Sequence, residues 1–527
     1  MFVRLGGIPH VEPFAPHPDE GNFITRALRI LVTGDMNPHW FGHPGTLTIY
    51  NLSAVFALDA FLRDEPLSSL RALYTHDPVP YHVLGRQLIV FWSIASQLAL
   101  WFLARAFVPR WPALLAVALL ACAPLDVRIA AFIRTDTQQG CLMLICSLLV
   151  VRSVRSGSWL SFAGAGLMLG LAVAVKWPSV VLCLTIALAA LVGREGEPLW
   201  PPSRVRIGKI ALAAVVSTIS LFAVAPHVFL DFGTVLDNVA REARDYHLSA
   251  TSPGFFSTLG FYGDLFRANL SIPGLLLAGI GAAAGLRSTR WRETCTISCA
   301  LLTYLCFIAL QKLRWDRWAV PMLPYLCVLA AIGVEHVTTA TREWFGRRGA
   351  LGVSALLTAL LALSACSNVG ALSRQRAGDP RPVATWWIVE NVPRGSKILT
   401  ETASPLLPKG MYVIFSSSRR GRLERAEPKA RFNVPRGALH KLRNLESTLS
   451  KVDYVITGNH YGRIKTEPER YQLGIARYEY IHRTTELVKS IGPYEIRKVV
   501  KKPKAKKKSK KRSKRDSEKE PSLERRG

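Results

Sequence analysis

The chain reads as a polytopic α-helical membrane protein of about 10–12 transmembrane helices, with a small C-terminal α/β domain and a disordered basic tail. Three observations predict this. Of its 527 residues, 49% are hydrophobic and the mean hydropathy is +0.19, too apolar for one soluble globule and long enough for a membrane core plus a domain. Apolar runs of bilayer-spanning length recur from residue 86 to residue 366. After residue 368 the composition turns to that of a soluble domain, and after residue 500 to low-complexity Lys and Arg.

Residues 1–85 form a first extracytoplasmic loop with juxtamembrane helices. Within it, residues 45–62 are apolar but interrupted by Asn51 and Asp59, which reads as an interfacial helix, with a true span as the alternative. Residues 86–368 are the membrane core, with runs near 86–107, 112–131, 137–151, 158–175, 177–193, 209–230, 270–286, 294–312, 318–338 and 349–366; the third is short for a span. Residues 369–500 are the α/β domain, with a helix at 384–390 and strands at 397–400, 452–456 and 494–500. Residues 501–527 hold 14 basic and 4 acidic residues, +10 of the formal +30, and cannot bury a core.

Loop charge sets the orientation, because Lys and Arg resist translocation and collect on the cytoplasmic side of short loops. Four short loops are basic: Arg152 with Arg155; Arg194 with Arg204, Arg206 and Lys209; Arg287 with Arg290 and Arg292; Arg342 with Arg347 and Arg348. Counting helices puts all four on one side. The same count puts Asp19-Glu20, Arg134 to Asp136, Lys176, residues 227–268, Arg314 to Arg317 and everything after 370 on the other, extracytoplasmic side of a cell (inner) membrane. No hydrophobic span precedes the first loop to carry it across, so a further helix is expected upstream of Met1.

The nine cysteines all lie in or beside apolar runs and behave as small buried hydrophobes. No His, Cys and carboxylate set has the composition of a metal centre, and use of a divalent ion stays open. The basic tail invites a nucleic-acid reading, but behind a membrane core it suits anionic lipid or an envelope polymer, and no specific nucleic-acid binding is expected.

Ionisable groups at membrane depth are costly and are kept for work. Arg86 opens a span, where snorkelling is the plain alternative; Lys176 interrupts a long apolar stretch; Asp136 starts a helix two residues after Arg134, as a cap would. Arg317 precedes Trp318-Ala319-Val320-Pro321-Met322-Leu323-Pro324. Singly these are weak signals, but all lie at helix ends on one side.

With the motifs His17-Pro18-Asp19-Glu20-Gly21, Thr33-Gly34-Asp35-Met36-Asn37-Pro38, Phe41-Gly42-His43-Pro44, Arg134-Thr135-Asp136, Gly170 to Lys176 and Arg317 to Pro324, the chain resembles the dolichyl-phosphate-mannose protein mannosyltransferase superfamily, which includes the aminoarabinose transferases. The likeness runs from residue 17 to about residue 335. It implies a GT-C-like glycosyltransferase that moves a sugar from a polyprenyl-phosphate donor to an acceptor (protein, lipid or glycan) at the extracytoplasmic face. It further implies Asp19 as general base with Glu20 as its neighbour, Asp136 on the acceptor side, and Arg86, Lys176, Arg317 and His43 as donor-phosphate ligands. Two departures stand out: Pro44-Gly45 replaces the usual Pro-Pro, which bears on His43, and the C-terminal domain matches only loosely.

The chemistry asks for the same groups, since displacing a sugar from a lipid phosphate needs a base for the acceptor proton and cations for the departing phosphate. Inversion needs only one carboxylate as base, with no covalent intermediate. The rival readings are a transporter or lipid flippase, which would show inverted repeats and charges near mid-bilayer, and a non-catalytic envelope scaffold, for which Asp19 would be dispensable. Sugar, acceptor and lipid length are not encoded in any motif.

Overall fold

The computed structural model describes residues 19–42, 45–199, 202–402, 404–418, 422–429, 432–434 and 437–500. The tail from Lys501 lies outside them. Among the described residues, six helices are long and apolar enough to cross a membrane: α4 (Val79–Arg105), α7 (Thr135–Ser156), α10 (Arg204–Val224), α12 (Phe255–Arg287), α13 (Trp291–Ala309) and α14 (Leu323–Ala377). The last is broken at Gly346, whose φ of 69° is left-handed, and so makes two passes. Shorter apolar helices α5 (Arg110–Ala121), α8 (Trp159–Val175) and α9 (Leu182–Val192) complete the bundle, and the chain is an integral membrane protein.

Several elements differ from the hydropathy reading for local reasons. The weak run at 137–151 becomes a 22-residue helix at the centre of the bundle. Its polar residues Thr137, Gln138 and Gln139 are buried in protein rather than exposed to lipid, which is why hydropathy underrates it. The run at 112–131 splits where Pro124 ends α5 and opens the single turn α6 (Pro124–Ile129). The span near 270–286 starts earlier, at Phe255, and bends at Ser271 just before Pro273.

Before the core come α1 (Glu20–Thr33), α2 (Thr46–Leu62) and α3 (Leu70–His76). Helix α1 buries the stripe Glu20, Ile24, Ala27 and Leu28 against α2 and leaves Arg26 and Arg29 on its polar side. Gly45 donates to the Val175 carbonyl at 3.1 Å, while Phe56 meets Tyr81 at the start of α4 with ring centroids 5.3 Å apart. These contacts hold α2 against the end of α8 and the start of α4.

The basic loops gather at the opposite end. There Arg155 donates to the Ala106 carbonyl at 2.5 Å and pairs with Glu293 at 2.9 Å, Arg292 donates to the Val192 carbonyl at 3.1 Å, and Arg206 pairs with Glu197 at 2.8 Å. These arginines cap the open carbonyls of helix C-termini, which the helix dipole favours.

The C-terminal domain is an α/β sandwich whose sheet runs β3 (Leu423–Arg425), β2 (Val413–Ser417), β1 (Lys397–Thr400), β4 (Tyr454–Thr457), β6 (Tyr494–Val499), β5 (Thr485–Ile491). Strand β1 pairs in parallel with β2 and β4, and the flanking strands run antiparallel. Helices α15 (Pro380–Asn391) and α16 (Gln472–Thr484) bury Ile388 and Tyr478 in the cores on its two faces. Loop 243–254 enters this domain: Leu248 joins its core, and Arg463 donates to the Leu248 carbonyl at 2.8 Å. The domain thus sits on the same end of the bundle as Asp19.

Helices α12 and α14 cross where a Cβ on Gly281 would collide with the Leu329 carbonyl and one on Gly333 with the Leu277 carbonyl. Gly281→Leu should cost about 2 kcal/mol or more by overpacking, seen as a lower melting midpoint of the detergent-purified protein. Gly279→Leu, which points into open space, should leave the midpoint unchanged.

Candidate active site

A cavity of about 1300 Å³ opens at the end of the bundle under the C-terminal domain. Its walls come from the start of α1 (Asp19, Asn22), the loop before α2 (Trp40, Gly42), the turn before α7 (Arg128, Phe132, Arg134), the α8–α9 break (Lys176, Trp177), helix α11 (Phe232–Glu242) and the segment 307–318. Arg463 reaches in from the C-terminal domain.

Asp19 precedes the first turn of α1 with its carboxylate half-exposed, and Arg134 reaches it at 3.2 Å. Arg134 is itself buried, in extended backbone before α7. Two residues further on, Asp136 is 1% exposed and forms an ion pair with Lys176; the Arg317 Nε lies 4.0 Å from its other oxygen. Lys176 is presented here because Trp177-Pro178 cannot continue α8, leaving Lys176 extended (φ −162°) between two helices. Arg317 stands in the 3₁₀ turn Asp316–Met322, and its guanidinium lies over the Trp315 ring at 4.7 Å. Arg128 pairs with Asp316 at 2.5 Å.

The structure thus brings Asp19, Asp136, Lys176 and Arg317 to one place. It separates Glu20 and Arg86 from them, contrary to the expectation that they serve the base and the donor phosphate. Glu20 falls on the apolar stripe of α1 and is fully buried. It accepts both prongs of Arg86, at 2.8 and 2.7 Å, and the Ile133 N–H at 3.0 Å, with His82 Nδ1 3.6 Å away. Arg86 is also fully buried, and neither side chain lines the cavity. His43 lies outside the described residues.

Sequence reasoning missed several wall residues. Arg128 and Arg134 carried a signal, being cations on the same side as Asp136. Glu242, His247 and Arg463 carried none, because only folding brings loop 231–268 and the C-terminal domain over the cavity. The His247 ring packs edge-on to Trp315 at 4.8 Å. Burial, then the charges of Arg244, Arg463 and Arg317, hold its pKa below the usual histidine value despite the Leu248 carbonyl. Among the described residues no group of three or more His, Cys, Asp or Glu is placed to hold a metal ion.

Comparison with known proteins follows this geometry. Residues 85–229 match the family model of dolichyl-phosphate-mannose-protein mannosyltransferase. Two solved structures of ArnT from Cupriavidus metallidurans align over 94% of the chain: the apo state, with 95% of that chain covered and a TM-score of 0.52, and the undecaprenyl phosphate complex, with 96% covered and a TM-score of 0.50. The fold is GT-C. Identity to both is 12%, so the likeness is one of architecture, and it includes the C-terminal domain. No curated protein sequence matches the chain.

Burial would raise the Glu20 carboxyl, but Arg86 and His82 outweigh it and hold it at about 2, below its ordinary 4.5. A depressed carboxyl contributes stability above its unfolded pKa and loses it as pH falls through the folded value. The contribution, about 3 kcal/mol, should be complete above about pH 4.5 and vanish towards pH 2. Acid unfolding followed by circular dichroism should show this slope. In Glu20→Gln the slope should be absent, and the strand of charge left on Arg86 should cost about 3–5 kcal/mol at neutral pH.

Proposed function

We propose that this protein is a membrane glycosyltransferase that moves a sugar from a polyprenyl-phosphate donor to an acceptor at the extracytoplasmic face, with Asp19 as general base. The observation that carries the reading is the cavity itself: the half-exposed carboxylate of Asp19 shares its wall with the cations Arg128, Arg134, Lys176 and Arg317 at the end of a membrane bundle. The GT-C fold and the family match over residues 85–229 support the same class.

In this reading the donor lies with its phosphate against Lys176 and Arg317 and its sugar towards Asp19. The acceptor hydroxyl gives its proton to Asp19 and attacks the anomeric carbon, while the phosphate leaves on the far side. Fixed cations in a site walled by protein oppose the growing phosphate charge more strongly than they would in water. Asp136, buried between Lys176 and Arg317, holds those cations in place rather than touching the acceptor. The extracytoplasmic placement rests on the basic loops at the other end of the bundle.

Membranes carrying the protein should transfer label from one of a panel of polyprenyl-phosphate sugars to an endogenous acceptor. Asp19→Asn should lower that rate at least ~100-fold, and Lys176→Met or Arg317→Ala by a similar order, at equal expression. An Asp19→Asn variant with undiminished transfer would remove Asp19 from the role of base.

A further inference from the structure

Arg134 stands between the two halves of the site. Its Nη2 is 3.2 Å from the Asp19 carboxylate, and it also lies within the electrostatic reach of Arg317, Asp136 and Asp316. It is buried, while the Asp19 side chain is 39% exposed, so the cation is the fixed partner and the carboxylate the accessible one.

The ion pairs Arg134–Asp19, Lys176–Asp136, Arg317–Asp136 and Arg128–Asp316 form one connected cluster, and Arg244, Lys312, Arg463 and Glu242 line the same cavity. Cations outnumber carboxylates there, which suits an anionic phosphodiester donor. Transfer then moves one unit of charge across the site. The acceptor O–H breaks and its proton goes to Asp19; the acceptor oxygen bonds to the anomeric carbon; the pair of the C–O(phosphate) bond goes to the leaving monophosphate. Asp19 passes from −1 to 0 as the phosphate passes from −1 to −2.

We propose that Arg134 carries this exchange, compensating Asp19 while the donor is bound and compensating the monophosphate once Asp19 has taken the proton. The inference rests on the glycosyltransferase reading above and adds to it a residue that serves the base and the leaving group in turn. Asp19 and the phosphate thereby compete for one cation. An ionised Asp19 weakens the hold on a dianion, and a neutral Asp19 strengthens it. Glu20 takes no part in this competition, because Arg86 already satisfies it in the wall below.

The test is binding to the purified full chain of two probes that differ by one charge: undecaprenyl phosphate and its methyl ester, titrated at pH 8. Asp19→Asn is expected to bind undecaprenyl phosphate roughly tenfold more tightly than wild type, with a smaller gain, about threefold, for the methyl ester. Arg134→Gln should weaken the monophosphate more than the ester, and Arg134→Lys, which keeps the charge, should restore most of the difference and serves if the Gln variant does not fold. A purely structural salt bridge predicts that Asp19→Asn changes neither probe or weakens both alike, and that result overturns the proposal. Wild-type protein that is folded yet binds neither probe overturns the glycosyltransferase reading itself.

Discussion

The buried pair of Glu20 and Arg86 is the contact on which the candidate site depends. Two full charges without solvent access persist only when each satisfies the other, and here the guanidinium meets the carboxylate with two hydrogen bonds. The same carboxylate accepts the Ile133 N–H, so one side chain fastens α1, α4 and the turn before α7. Asp19 is the residue before Glu20 and Arg134 the residue after Ile133. Fixing the inner pair therefore fixes the outer one, and the 3.2 Å contact at the cavity follows from it.

The bilayer imposes the second constraint. A charge in hydrocarbon must be paired, buried in protein or carried to an interface. This bundle does all three: arginines cap helix C-termini at one end, Asp136 is buried in protein against Lys176, and other ionisable groups line the cavity at the other end. Because that cavity is walled by protein, its charges are weakly screened, and the excess of cations over carboxylates on its wall has chemical consequences it would lack on an open surface.

Loop 243–254 joins the two parts of the molecule. Its Thr251 bridges to Leu313, Arg314 donates to the Ala250 carbonyl at 2.8 Å, and His247 meets Trp315, all within a few residues of Arg317. On its other side Tyr246 donates to Glu467 at 2.6 Å beneath Arg470, in the C-terminal domain. The C-terminal domain and the Arg317 side of the cavity are thus tied through one short segment, which makes the domain a wall of the cavity rather than an appendage.

The sequence by itself determined the membrane class, the sites of most helices, the gathering of basic loops at one end and the presence of strands in the C-terminal region. These follow from local rules: apolar runs of bilayer length, prolines that stop helices, and charges that cannot rest in lipid. It also grouped Arg86, Asp136, Lys176 and Arg317, because all lie at helix ends on one side, and the family resemblance added Asp19. Only the tertiary structure decided which charges face the cavity and which are spent on holding it together. Glu20 and Arg86 look like site residues in one dimension. They become a structural pair because Glu20 falls on the buried stripe of α1 and Arg86 lies opposite it on α4. Glu242, His247 and Arg463 enter for the converse reason, since the distance between chemical groups is set by packing, which local sequence does not encode.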